Sequence, residues 1–492
     1  MNKNMHRAKT GIPGLDEVLH GGLIAERLFL VDGNPGAGKT TLALQFLLEG
    51  KRQDERCVYV TLSETKEELE AGARSHGWDL EGIDIVELIA TEKELQGDEQ
   101  LTILPPSEVE LGETTRSIIE AIETMQPARM VLDSLSELRL LAQGSLRYRR
   151  QILALKQFFI GRKCTVVLLD DRTAEGPDLQ LHSIAHGVVA LESISPTYGQ
   201  SRRQVEVIKF RGSDFVSGFH DFTIRRGGLT VYPRLVSAHH GHEFTRQSIK
   251  SGVASLDTLL GGGVDRGSST LLVGPPGSGK SSIAVQYALA ATERGDHAAA
   301  FLFDETKTAM LTRSAGLGMK IKEGLGVGEI EIHQIDPAAI SPGEFADIVR
   351  RSVARGARVI VIDSLNGYLN TMPSSNFLTA QLHELLSYLN LQGVATFMIV
   401  AQSGILGSSM SSPVDASYLA DSVVLLRYFE HGGAVKKAIS VLKKRTGGHE
   451  GTIRELSFNH TGIHLSEPLM MLRGVLTGVP VEVDSVKHNP GA

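Results

Sequence analysis

The chain has 492 residues, 41% of them hydrophobic, and a formal net charge of −7. That length is too great for one ordinary domain and comfortable for two. The acidic balance argues against a nucleic-acid binder, which usually carries a basic domain or face. No apolar run approaches the roughly 18 residues of a membrane span, and the opening Met1–Lys9 lacks the apolar core of a signal peptide, so a cytoplasmic protein is expected.

Read from the N-terminus, Lys9-Thr-Gly-Ile-Pro-Gly-Leu-Asp16 is followed by Gly21-Gly22, and the same arrangement returns at Lys250-Ser-Gly-Val-Ala-Ser-Leu-Asp257 with Gly262-Gly263. A repeat of this size is a duplicated domain and not a solenoid. Residues 1–237 are read as the first domain, the polar stretch 238–244 as a linker, 245–472 as the second domain and 473–492 as a tail. In the first domain, strands are expected over Arg27–Gly33, Cys57–Glu64, Ala128–Ser134, Cys164–Arg172, Gly187–Glu192 and Arg202–Arg211. Helical patterns follow the first four. Near-continuous apolar strands separated by helices predict a mostly parallel, doubly wound α/β sheet covered on both faces. Antiparallel strands are added at its end, over Phe219–Tyr232 in the first domain and Ile453–Leu465 in the second. Cys57 and Cys164 lie in apolar β-branched runs and read as buried small hydrophobes. Two cysteines in so long a chain fit a reducing compartment. The histidines of the linker, His239, His240 and His242, lack a second ligand set and read as solvated.

Each domain carries a glycine-rich turn between a strand and a helix, Gly33-Asn-Pro-Gly-Ala-Gly-Lys39-Thr40 and Gly274-Pro-Pro-Gly-Ser-Gly-Lys280-Ser281. Both satisfy G-x-x-x-x-G-K-[ST]. Gly33, Gly36 and Gly38, and likewise Gly274, Gly277 and Gly279, let backbone N–H groups converge on phosphate, and the following helix presents the positive end of its dipole. Lys39 and Lys280 are expected to reach the β- and γ-phosphates. Thr40 and Ser281 should ligate Mg²⁺, and the hydroxyls of Thr41 and Ser282 complete the nucleotide-binding turns. A magnesium site also needs a carboxylate on a neighbouring strand end, supplied by Asp133 and Asp363. Hydrolysis needs a group to orient or deprotonate water. Glu64 in the first domain and Asp304-Glu305 in the second end the second strand at the carboxyl edge, where ligands bind in such sheets. The alternative for these acids is a helix N-terminus favoured by the dipole. Asp170-Asp171, with Gln402 as counterpart, reads as a strand-end polar group.

This ordered set, written twice, resembles the RecA-like ATPases and, more closely, the KaiC family of clock ATPases and autokinases. The resemblance covers nearly the whole chain. It implies two tandem RecA-like domains, ATP and Mg²⁺, and an ATP-dependent homohexamer with nucleotide at the subunit boundaries. It further implies that Lys209 and Arg211, and Lys443 and Arg445, reach the γ-phosphate held by a neighbour. A KaiB-like regulator or a histidine kinase is the partner class it suggests. The chain departs from the family pattern in two places. Ser63-Glu64 replaces one of two expected acid pairs, and Ser417-Tyr418 stands where the family's phosphorylated Ser-Thr pair lies. Ser417 is the expected phosphoacceptor and Tyr418 the poorer one, because its longer side chain changes the reach. A DNA-stimulated motor and a nucleotide-gated scaffold with negligible turnover are the competing readings. Stimulation by single-stranded DNA separates the first from the rest, and the turnover of each domain separates the second.

Overall fold

The structure is a computed structural model. It describes residues 6–88, 106–142, 144–172, 179–195, 199–235, 244–245, 247–370, 375–402 and 418–482. Two compact units divide the chain, Met1–Arg234 and Leu235–Ala492.

The first unit is built on one nine-stranded sheet. In chain order its strands are β1 (Leu28–Gly33), β2 (Cys57–Thr61), β3 (Ile83–Glu87), β4 (Arg129–Asp133), β5 (Thr165–Asp171), β6 (Gly187–Ile194), β7 (Arg202–Phe210), β8 (Phe219–Arg225) and β9 (Gly228–Tyr232). They lie in the order β9-β8-β7-β6-β1-β5-β4-β2-β3. From β6 to β3 all pairs are parallel, and β7, β8 and β9 are added antiparallel. The second unit repeats this order with β10 (Ser269–Gly274), β11 (His297–Leu302), β12 (Ile330–Gln334), β13 (Ala357–Asp363), β14 (Ala395–Ala401), β15 (Ser422–His431), β16 (Ala434–Lys444), β17 (Arg454–Asn459) and β18 (Gly462–Pro468). The strand carrying each glycine-rich turn, β1 or β10, is therefore central.

Central parallel strands are covered on both faces, so they need apolar residues at every position. β1 is buried throughout: Phe29 and Val31 enter one core cluster, Leu28 and Leu30 the other. In β10, Leu271 and Val273 face one core and Leu272 the opposite one. Cys57 and Cys164 are both buried free thiols, and burial pushes them up to about 11 and about 12. Among the described residues, no helix is long and apolar enough to cross a membrane.

The duplicated entry motif folds alike in both units. The Asp16 carboxylate accepts the Thr10 N–H and hydroxyl, each at 2.8 Å. Asp257 accepts the Ser251 N–H at 2.7 Å and its hydroxyl at 2.8 Å. The motif thus closes the chain over the sheet before the first strand.

Three differences from the sequence reading have physical causes. The edge strand β3 goes unread there, because its five residues, Ile-Asp-Ile-Val-Glu, are only partly buried and alternate with acids. β2 ends at Thr61, since the Thr61 hydroxyl accepts the Glu64 N–H and donates to the Glu64 carbonyl, folding 62–64 into a turn. Past Leu472 the chain stays packed: Leu472–Arg473 pairs with Val481–Glu482, and Val475 is buried against Phe429 and Ala438.

One buried charge holds the first unit together. Arg129 is fully buried on β4. It ion-pairs with Glu55, donates to the Phe46 carbonyl at 2.9 Å and the Lys9 carbonyl at 2.5 Å, and stacks 4.8 Å from the Phe46 ring centroid. Truncation removes the cation and strands these acceptors. Arg129→Ala is expected to cost about 3–5 kcal/mol of stability. Denaturant unfolding read from the single tryptophan, Trp78 of this unit, checks it; an unchanged midpoint would refute it.

Candidate nucleotide sites

Each glycine-rich turn runs from the end of a central strand into a long helix, Lys39–Arg52 or Lys280–Glu293. Gly38 and Gly279 are the N-caps, at φ 109° and 106°. A Cβ at Gly38 would stand 2.5 Å from Ile224 Cδ1, and one at Gly279 2.2 Å from Phe458 Cζ. Positive φ and close packing together require glycine there. Lys39 folds back over its turn, donating to the Gly33 carbonyl at 2.9 Å and the Asn34 carbonyl at 3.1 Å. Lys280 does the same with Gly274 at 2.8 Å and Pro275 at 2.7 Å.

The aspartates expected at the neighbouring strand end are brought to these turns. In the first unit the Thr40 hydroxyl donates to Asp133 Oδ2 at 3.3 Å, and the Tyr59 hydroxyl donates to the same oxygen at 2.5 Å. In the second, the Ser281 hydroxyl lies close enough to Asp363 to favour its ionised form. Both aspartates are buried, and burial raises both carboxyls above the usual range against the opposing hydrogen bonds. One hard carboxylate beside one hydroxyl, at a turn shaped for phosphate, suits Mg²⁺, which keeps waters and takes further oxygens from substrate phosphate. Clusters of three or more metal-ligating side chains do not occur among the described residues.

Around this common frame the two sites differ. Lys39 makes an ion pair with Asp171 at 2.5 Å. Asp171 lies opposite Gly33 in the β1–β5 register, and the equivalent place opposite Gly274 is Ala401. Gln402, expected to match the Asp170-Asp171 pair, instead matches Arg172, since the Gln402 and Arg172 amides donate to the Gly274 and Gly33 carbonyls. Lys280 thus has no carboxylate at ion-pair distance among the described residues, and burial pulls its ammonium down to about 8. Asp170 is taken up elsewhere, in an ion pair with Arg139.

The acids after the second strand differ as well. The Glu64 carboxylate has neither ion-pair nor hydrogen-bond partner among the described residues, and burial, then the nearby Asp133, raises it above the ordinary range. Glu305 is ion-paired to Arg313. Asp304 accepts the Ser364 hydroxyl, which also receives the Gly367 N–H at 3.3 Å. Arg313 belongs to the helix Lys307–Gly316 and occupies the place of Gly72 in the first unit. With Gly277, Gly279, Lys280, Ser281, Ser282, Leu317, Lys437 and Phe458 it lines a cavity of 290 Å³ beside the second turn. Sequence reading missed both contacts, because Arg313 and Asp171 themselves lie outside the motifs whose residues, Glu305 and Lys39, they pair with.

The basic pairs of the late strand sit away from their own turns. Lys209 pairs with Val188, which lies opposite Leu30, three residues short of Gly33. That is ~10 Å along the strand, plus two strand spacings. Lys443 bears the same relation to Gly274 through Val423 and Leu271. Lys209 donates to the Ala185 carbonyl at 2.7 Å, and Arg211 to the Ser183 carbonyl at 3.2 Å. Lys443 donates to the Ala420 carbonyl at 2.8 Å; Arg445 pairs with Asp421 at 3.4 Å and donates to the Tyr418 carbonyl. Tyr418 is exposed. Thr41 and Ser282 both open their helices beside the lysine and hydroxyl of the turn, whereas Ser417, His239, His240 and His242 lie outside the described residues.

Comparison with known proteins decides the family. The chain matches the family described as ATPase: KaiC twice, over residues 8–236 and 249–469. It belongs to the KaiC ATPase family. It is 26% identical over 485 residues to circadian clock protein KaiC3 of Synechocystis sp., covering 97% of this chain and 95% of that one. To the circadian clock oscillator protein KaiC of Synechococcus elongatus it is 27% identical over 504 residues, covering 98% and 94%. The KaiC of Acaryochloris marina is 27% identical over 492 residues, covering 96% and 91%. This KaiC-family chain is thus a tandem α/β P-loop ATPase, with one glycine-rich turn per repeat.

Proposed function

We propose that this KaiC-family chain works as an ATP-assembled homo-oligomer, a ring, with hydrolysis in its first domain and serine autophosphorylation in its second. The observation that carries this reading is the polarity of each sheet. The phosphate-binding turn stands at one end, and the basic pair stands at the other, turned onto carbonyls of its own chain. A second copy is the source of the missing charge: Lys209 and Arg211, or Lys443 and Arg445, meet the γ-phosphate held by a neighbour and stabilise the charge of the transferring group.

In the first site, backbone N–H groups of the turn and Lys39 hold the phosphates, Thr40 and Asp133 hold Mg²⁺, and Glu64 takes a proton from the attacking water. Magnesium, when bound, neutralises phosphate charge and fixes the β- and γ-oxygens. In the second site, Lys280, Ser281 and Asp363 serve the same ends. The Ser417 hydroxyl attacks the γ-phosphorus, the bond to the β-phosphate oxygen breaks, ADP leaves, and the hydroxyl proton passes to Asp304 or Glu305. The engagement of both acids in that site favours slow water attack there, which suits a site reserved for a protein acceptor. The readout is a timing or signalling module, for which a KaiB-like regulator or a histidine kinase is the partner. The absence of an excess of basic residues supports this over a DNA motor.

ATP bridging two copies favours assembly by mass action. Light scattering of the chain with and without Mg-ATP should show a rise from the single-chain mass to a closed oligomer. A monomer under both conditions would sink the assembly.

A further inference from the structure

The second nucleotide cavity contains a cation that the shared motif does not account for. Arg313 lies on the wall of the 290 Å³ cavity formed by Gly277, Gly279, Lys280, Ser281 and Ser282. One of its terminal nitrogens, Nη1, is committed to Glu305. Its Nε and Nη2 are buried and have no hydrogen-bond partner among the described residues. Leaving a buried guanidinium donor unpaired is costly, so such a group is kept where a ligand satisfies it. The guanidinium has a planar fork that matches phosphate oxygens, and Arg313 lines the same cavity as the phosphate-binding turn.

We propose that Arg313 is a nucleotide-binding residue of the second site, donating Nε and Nη2 to the phosphate chain of ATP or ADP while Nη1 holds Glu305. This rests on the reading of the second turn as an ATP site and adds to it a contact made within one chain, unlike the basic pair of the late strand. The first site has no equivalent, since Gly72 stands at the corresponding place in the helix Lys66–Ser75. The carboxylate and the phosphate chain thereby share one cation. Nucleotide in the second site fixes the position of Glu305, and the first site, with its free Glu64, has no such tether. A guanidinium kept only to hold Glu305 would leave nucleotide affinity unchanged when removed.

The test is calorimetric binding of Mg-ADP and of a slowly hydrolysed ATP analogue to the full-length chain. Lys39→Ala confines binding to the second site. In that background Arg313→Ala and Arg313→Gln should each weaken both ligands on the order of tenfold, the loss of a charge-assisted contact, and Arg313→Lys should recover part of the loss. With Lys280→Ala, which confines binding to the first site, Arg313→Ala should change nothing. Binding within twofold of the parent in the Lys39→Ala background overturns the proposal and leaves the ATP site standing. Equal weakening in both backgrounds also overturns it, because the effect is then a general loss of structure. If the Lys39→Ala chain with Arg313 intact binds no nucleotide, the reading of the second turn as an ATP site fails first, and the proposal falls with it.

Discussion

Glu64→Gln should lower ATP turnover of the full-length chain by at least about a hundredfold, the usual contribution of a positioned base, and Glu305→Gln should lower it far less. The asymmetry comes from the surroundings of two residues that occupy equivalent places in the repeat. The Glu64 carboxylate has no partner among the described residues, and burial raises its affinity for a proton. Glu305 is held by Arg313. A carboxylate held in an ion pair has its oxygen occupied, so it is less available to orient or deprotonate water. The sign of the pH effect follows. The base must be ionised to work, so turnover falls as pH drops through the raised Glu64 value, and this acid limb lies above the ordinary glutamate range. It is absent from the residual rate of Glu64→Gln. Steady-state rates of the parent and both variants as a function of pH decide it. Equal losses from the two substitutions would mean that both sites hydrolyse with the same machinery.

Lys280→Ala should abolish incorporation of labelled phosphate into the protein, and Lys39→Ala should mainly impair assembly and basal hydrolysis. The expected acceptor, Ser417, belongs to the second domain and precedes β15, whose neighbour β16 ends in Lys443 and Lys444, with Arg445 next. Arg445 is fastened to the Tyr418 carbonyl and to Asp421, which follow the expected acceptor in sequence. Lys280 is buried over its turn without a carboxylate at ion-pair distance among the described residues, whereas Lys39 is paired with Asp171. Intact-mass and fragment analysis after incubation with ATP gives the answer. Label in Lys280→Ala but not in Lys39→Ala would reverse the division of labour, and no phosphate on Ser417 or Tyr418 of an active parent would remove the autokinase reading.

How much of this was legible before any coordinates depends on how local the signal is. The turns, their helices and the carboxylates Asp133 and Asp363 are written in short runs whose spacing has a fixed physical meaning, and the mostly parallel, two-faced character of the sheet follows from the alternation of strands and helices. The strand Ile83–Glu87 was not legible, because an edge strand needs burial on few positions and so leaves a weak pattern. Register was not legible either. The ends of two apolar runs suggested Gln402 as the match for Asp170-Asp171, but hydrogen bonding to Gly33 and Gly274 shifts the match and sets Ala401 against Asp171. Arg313 was invisible for a third reason: an arginine on an amphipathic helix looks like a solvated charge until the cavity beside it is known.

The separation of turn and basic pair along each sheet gives every subunit a head and a tail. In the proposed assembly such a contact is heterologous, so two copies complete one boundary and leave another open. Only a closed circle leaves none. Each added copy short of closure carries one unfinished end, and the last copy finishes two boundaries at once. An open run of copies always has one completed boundary fewer than it has chains, so activity per chain should climb with length and reach its full value only at closure, and a single defective copy would disable its neighbour's site while leaving its own pocket intact.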